Sequence, residues 1–179
     1  MSREQWRGCG NTEVFNTLAW KERPRKQSRL VRWIPPEAGW VKLNIAGVWK
    51  AESGMGGVIQ DEKDSLIQGF LGKATSVSVL EAQLQTLMKG LAIARDQGRK
   101  IWVELDNLEV VKMLQNKKFG AAAMRHQVTD ICNMLKQVDV KITHILSQGN
   151  KATASLALKE SKERAHKVFE QESAPQMTP

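Results

Sequence analysis

The sequence predicts an α/β domain built on a mixed five-stranded sheet with helices on its faces. Three observations predict it. Three strand-like segments follow one another, a single long helical stripe comes next, and two further strands are each followed by helical segments, in the order βββαβααβα.

Val41, Leu43 and Ile45 alternate with Lys42, Asn44 and Ala46, which predicts a strand with one buried face. Gly54, Gly56 and Gly57 lead into a second strand at Val58-Ile59-Gln60. Asp61-Glu62-Lys63-Asp64 reads as a turn and Leu66–Leu71 as a third strand, completing an antiparallel meander. From Leu80 to Asp96 the period becomes helical: Leu80, Leu84, Leu87, Met88, Leu91 and Ala94 share one stripe, and Gly98 marks the stop. Lys100–Leu105 is a short strand ending at Asp106. Val110, Val111, Met113 and Leu114 predict a brief helix, and Val128, Ile131, Cys132 and Leu135 another. Val138–Leu146 is the fifth strand, and a last helix begins near Asn150.

Residues 1–33 show no sustained period and read as a basic, loosely structured leader. Residues 34–163 form the domain, entered through the stiff Ile34-Pro35-Pro36 segment, and residues 164–179 read as a charged, flexible tail. Lys and Arg number 27 against 19 Asp and Glu, a net charge of +8 that favours polyanionic partners. The leader holds eight Lys and Arg against three Glu, five of those eight net charges. The two cysteines, Cys9 and Cys132, have neither disulfide-framework nor metal-ligand spacing. No apolar run approaches the roughly 20 residues of a membrane span, and the N-terminus lacks a signal-type apolar core. An intracellular protein, nuclear or cytoplasmic, is therefore expected, with Lys21-Glu22-Arg23-Pro24-Arg25-Lys26 as a candidate nuclear address.

Five stretches, in this order and spacing, carry a resemblance. They are Trp33-Ile34-Pro35-Pro36…Gly39-Trp40-Val41-Lys42-Leu43-Asn44, then Gly56-Gly57-Val58-Ile59-Gln60-Asp61, then Ala82-Gln83-Leu84…Leu87…Gly90-Leu91. Val103-Glu104-Leu105-Asp106 and His144…Asn150…Leu156-Ala157 complete the set. Together they resemble the ribonuclease H-like domain of the plant, retrotransposon-associated branch. The resemblance implies hydrolysis of the RNA strand of an RNA–DNA hybrid by two Mg²⁺ ions, held by four carboxylates. Those carboxylates would stand at positions 46, 83, 106 and 154. This chain has Ala46, Gln83, Asp106 and Ala154 there, so Asp106 is the single family carboxylate retained. Ser147-Gln148 also stands where the branch commonly has Arg-Glu.

Nearby acids are poor substitutes. Glu81 lies about 200° around the helix from Gln83, Asp61 and Asp64 belong to a distant turn, and Glu104 belongs to a strand. The expectation is a catalytically degenerate protein with no intact catalytic set, no metal site and no cofactor, Mg²⁺ entering only with residual activity. Asp106 then reads as the N-cap of the helix that follows it. Loss of the carboxylates also lowers the repulsion a phosphate would meet. Lys50, Trp49, Asn107, His144 and Asn150 are the candidate nucleic-acid-binding residues, with RNA–DNA hybrid or duplex RNA as partner and no membrane. Trp49 at a strand end and a lone His144 on a strand read more readily as packing residues than as ligand contacts. Two alternatives stand beside this one. The first is a protein-interaction scaffold derived from a retrotransposon fragment, motivated by the Met-rich stretch Met113–Leu135. The second is an active Mg²⁺-dependent endoribonuclease with shifted ligands.

Overall fold

The alternation at residues 41–46 does produce a strand, and it becomes the centre of the sheet. The structure, a computed structural model, describes residues 34–50, 52–98, 100–116, 122–160 and 167–170. The expected leader lies outside the described residues, as do residues 117–121 of the Met-rich stretch and most of the expected tail. Strands β1 (Val41–Trp49), β2 (Ser53–Gln60) and β3 (Leu66–Lys73) form the meander; β4 is Lys100–Leu105, β5 is Asp139–His144 and β6 is Lys167–Phe169. The helices are α1 (Val79–Gln97), α2 (Leu108–Gln115), α3 (Arg125–Leu135) and α4 (Lys151–Glu160). The strand order is β5-β4-β1-β2-β3-β6. β1 runs parallel to β4 and β4 to β5, whereas the other pairings are antiparallel.

The βββαβααβα order is therefore observed, with one correction. The sheet has six strands, not five, because Lys167–Phe169 pairs with β3 inside the segment read as a flexible tail. Phe169 is buried there, packing with Val58, Leu71 and Leu156. Burial of that ring supplies what three residues of strand propensity could not.

A second correction concerns β1, which is buried on both faces. Leu43 and Ile45 pack on Leu84, Leu87 and Leu91 of α1. The opposite face carries Lys42, Asn44 and Ala46, each at most 3% exposed. There α4 crosses the meander so closely that a Cβ at Gly56 would sit 2.7 Å from the Ala157 nitrogen. A Cβ at Gly57, on the other face, would come within 2.1 Å of a Phe70 ring carbon. These two close approaches explain why a glycine-rich stretch of low strand propensity still extends β2 back to Ser53. Gly98 follows α1 in extended backbone (φ 174°), so no left-handed cap ends that helix.

Lys42 is held by more than burial. Its Nζ lies 2.8 Å from Glu104 Oε2, donates to the Ile34 carbonyl at 2.8 Å, and stands 4.3 Å from the centre of the Trp102 ring. Asn44 donates to the same Glu104 oxygen at 3.1 Å, while Thr143 Oγ1 lies 3.5 Å from the other one. The Trp102 indole N–H in turn donates to Thr143 at 2.7 Å. Charge pairing and hydrogen bonding thus compensate a carboxylate and an ammonium taken out of water.

Candidate functional site

The parallel pairing of β1, β4 and β5 brings their carboxyl ends to one edge of the sheet, where Ile45 is matched with Leu105 and Leu105 with His144. The residues that follow those ends form the site. Gly47 and Trp49 come from β1, Asp106 from the end of β4, His144 from β5, and Gln83 from the second turn of α1.

Gln83 reaches the edge because α1 and β1 touch backbone to backbone. A Cβ at Gly47 would come within 2.5 Å of the Ala82 carbonyl. Gln83 is buried, and its Nε2 donates to the Gly47 carbonyl at 3.1 Å and approaches Asp106 Oδ1 at 3.4 Å. The Gln83 Oε1 atom has no hydrogen-bond partner among the described residues. Ala46 is 2% exposed on the opposite face of β1, and Ala154 is half-buried on α4. Neither methyl offers a donor or an acceptor.

Asp106 does not cap α2. That role belongs to Asn107, whose Oδ1 accepts from the backbone N–H of Glu109 at 2.9 Å and of Val110 at 3.2 Å. The backbone turns into the helix one residue later than expected, and the Asp106 carboxylate stays on the Gln83 side. His144 is exposed, with its Nε2 3.2 Å from the Asp106 carbonyl oxygen. It therefore stands against the retained acid's backbone, not its carboxylate.

The other candidate residues divide. Lys50 is exposed beyond β1, and Trp49 is 45% exposed beside it. Asn150 is 1% exposed and donates to the Ile45 carbonyl at 2.7 Å. It anchors the start of α4 to β1, and its buried amide group is committed to that contact. Asn107 spends its side-chain oxygen on the helix cap. Lys50, Trp49 and His144 therefore remain as the solvent-facing candidates, His144 beside Asp106 and the other two at the far end of β1.

The four acids weighed as substitutes are occupied elsewhere. Glu81 Oε2 accepts from the Val77 N–H at 2.9 Å while Ser78 Oγ accepts from the Glu81 N–H at 3.1 Å, a reciprocal cap at the start of α1. Asp61 Oδ1 accepts from the N–H groups of Lys63 and Ser65, and Asp64 from the Gln60 amide, all within the β2–β3 turn. Glu104 is committed to Lys42 and Asn44. Among the described residues, no group of three or more His, Cys, Asp or Glu side chains could share a metal ion. In the Met-rich stretch, Met113 is buried and Met124 and Met134 pack on the core, so these side chains do not make an exposed docking face.

Sequence reasoning missed Gly47, whose missing side chain lets Gln83 reach the edge. It also missed the Lys42–Glu104 pair. A lysine and a glutamate on adjoining parallel strands, two positions apart in register (Lys42 opposite Trp102, Asn44 opposite Glu104), were the available signal.

Residues 44–160 match the family described as reverse transcriptase-like. An Arabidopsis thaliana protein whose name assigns it provisionally to ribonuclease H is 27% identical over 148 residues, which is 79% of this chain and 24% of that protein. The chain thus spans about a quarter of that relative's length. Among solved structures, RNase H1 of the archaeon Halobacterium salinarum superposes with a TM-score of 0.66 at 19% identity, over 70% of this chain and 99% of that one. The N-terminal RNase H domain of a Mycobacterium tuberculosis protein gives 0.65 at 16%, over 70% and 95%. An RNase H1 solved in complex with an RNA/DNA hybrid gives 0.64 at 16%, over 69% and 97%. At these identities the likeness is one of fold.

Proposed function

Because this chain belongs to the reverse transcriptase-like family and is a ribonuclease H-like domain of the plant and retroelement type, we propose that it binds nucleic-acid duplexes, RNA–DNA hybrid or double-stranded RNA, without cleaving them. The observation that carries the reading is the donor set at the sheet edge. Asp106 stands beside a glutamine amide, with Ala46 and Ala154 at the two other positions where the resembled family has carboxylates.

A pair of divalent ions does not fit this set. Mg²⁺ gives up its waters reluctantly and is held by carboxylates together with substrate phosphates. A two-ion clamp needs acids that can serve both ions. Here one oxygen of the single carboxylate already faces the Gln83 amide at 3.4 Å.

The same substitutions favour backbone binding. Each carboxylate absent removes a repulsion worth roughly 1 kcal/mol at about 4 Å in water, and more where solvent is partly excluded. Lys50 supplies an exposed cation for a phosphate, Trp49 a partly exposed ring for a sugar or base, and His144 an exposed imidazole beside Asp106. The hybrid-bound RNase H1 that shares the fold makes the ligand class reasonable; the residues named here make it specific to this chain.

The test is fluorescence anisotropy with a labelled hybrid. Binding is expected in EDTA as well as in Mg²⁺, and affinity should fall roughly tenfold or more between about 50 and 200 mM salt. Undetectable duplex binding at the lower salt, or binding that requires Mg²⁺, refutes the reading.

A further inference from the structure

The Gln83 side chain joins three elements at one point. Its NH₂ group lies 3.1 Å from the β1 carbonyl of Gly47 and 3.4 Å from the Asp106 carboxylate that follows β4, while the residue itself belongs to α1. Both neighbours are acceptors, and the opposite amide orientation would set oxygen against oxygen, so the direction of the amide is fixed. At 4% exposure there is little water to take the place of either contact.

We propose that the Gln83 amide substitutes for a cation at this joint, so that the ends of β1 and β4 stay fixed to α1 without any metal ion. A carboxylate at position 83 would set two acidic groups and a carbonyl oxygen together, an arrangement that needs positive charge between them. An amide needs none. Gln83 is accordingly a positioning residue. It holds Asp106 and the β1 end in place whether or not a nucleic acid is bound, which takes the inference beyond the binding reading and leaves the two separately testable.

The experiment compares the full chain with Gln83→Glu and Gln83→Met by thermal melting in EDTA and in millimolar Mn²⁺. Gln83→Glu keeps size and shape; its melting temperature is expected to fall by about 5 °C in EDTA and to recover on addition of Mn²⁺. Gln83→Met removes the donor without adding charge, and its melting temperature should fall and stay low with or without Mn²⁺. The parent protein should melt at one temperature in both conditions. The proposal is overturned if Gln83→Glu is as stable as the parent in EDTA, if Mn²⁺ fails to restore it, if Gln83→Met is not destabilised, or if the parent itself is stabilised by Mn²⁺. Duplex binding by the parent is measured separately, so its failure would strike the functional reading and leave this one standing.

Discussion

Replacing Lys42 by methionine is expected to cost the fold about 3–5 kcal/mol, the loss typical of breaking a buried ion pair from one side. The lysine side chain is 1% exposed and that of its partner Glu104 10% exposed, with 2.8 Å between the charged atoms. Methionine fills the space of the lysine stem but leaves the Glu104 carboxylate buried without its cation. The Ile34 carbonyl loses a donor in the same change, and the Trp102 ring loses one of the two ammonium groups set within 4.3 Å of its centre. Neutralising both members, with Lys42→Met and Glu104→Gln together, should recover most of the loss. The second amide still accepts from Asn44 and carries no charge. Urea denaturation of the two variants beside the parent checks this. A single variant within about 1 kcal/mol of the parent would mean that the pair is solvated and does not organise the sheet.

Gly47→Ala is the second large effect expected. The added methyl would meet the Ala82 carbonyl carbon and oxygen at 2.5 Å and the Gln83 nitrogen at 2.6 Å. All three are backbone atoms of α1, so no side chain can swing aside and the helix must move off β1. A destabilisation of about 3 kcal/mol, at the upper end of ordinary overpacking, is expected in the same denaturation experiment. The displacement should also separate Gln83 from Gly47 and Asp106, exposing the first turns of α1 to hydrogen exchange. Gly98→Ala is the control. Its Cβ would meet Val41 at an ordinary 3.7 Å in extended backbone, and it should change stability by less than about 0.5 kcal/mol. Equal stability of the two alanine variants would show that α1 and β1 are not in the contact described.

Much of this was readable from residue patterns because the patterns are local. The apolar stripe from Leu80 to Ala94 gives α1 its core face, and the alternation around Leu43 and Ile45 gives β1 its own. Register in the sheet then brings Asp106 to the edge and the α1–β1 contact at Gly47 brings Gln83 beside it, as the resemblance implied. What was not readable depends on partners far away in the chain. Polar alternation assigns Lys42 and Asn44 to solvent, yet α4 and the Ile34 segment cover them, and Glu104 answers their polarity across the parallel β1–β4 pairing. Asp106 and Asn107 are both good helix caps, and only the backbone's turn at Asn107 decides between them. Asn150 reads as a polar loop residue, but its amide is spent on the Ile45 carbonyl. β6 has too few residues for a periodic signal and exists because Phe169 finds an apolar pocket under the meander.

Whether this edge can hold catalytic metal is tested most directly by hydrolysis. A labelled RNA–DNA hybrid incubated with excess purified protein in millimolar Mg²⁺ or Mn²⁺ should be bound and recovered intact. Cleavage that disappears in the Asp106→Asn variant would show that the remaining carboxylate still works with metal, and would contradict the proposal of binding without hydrolysis.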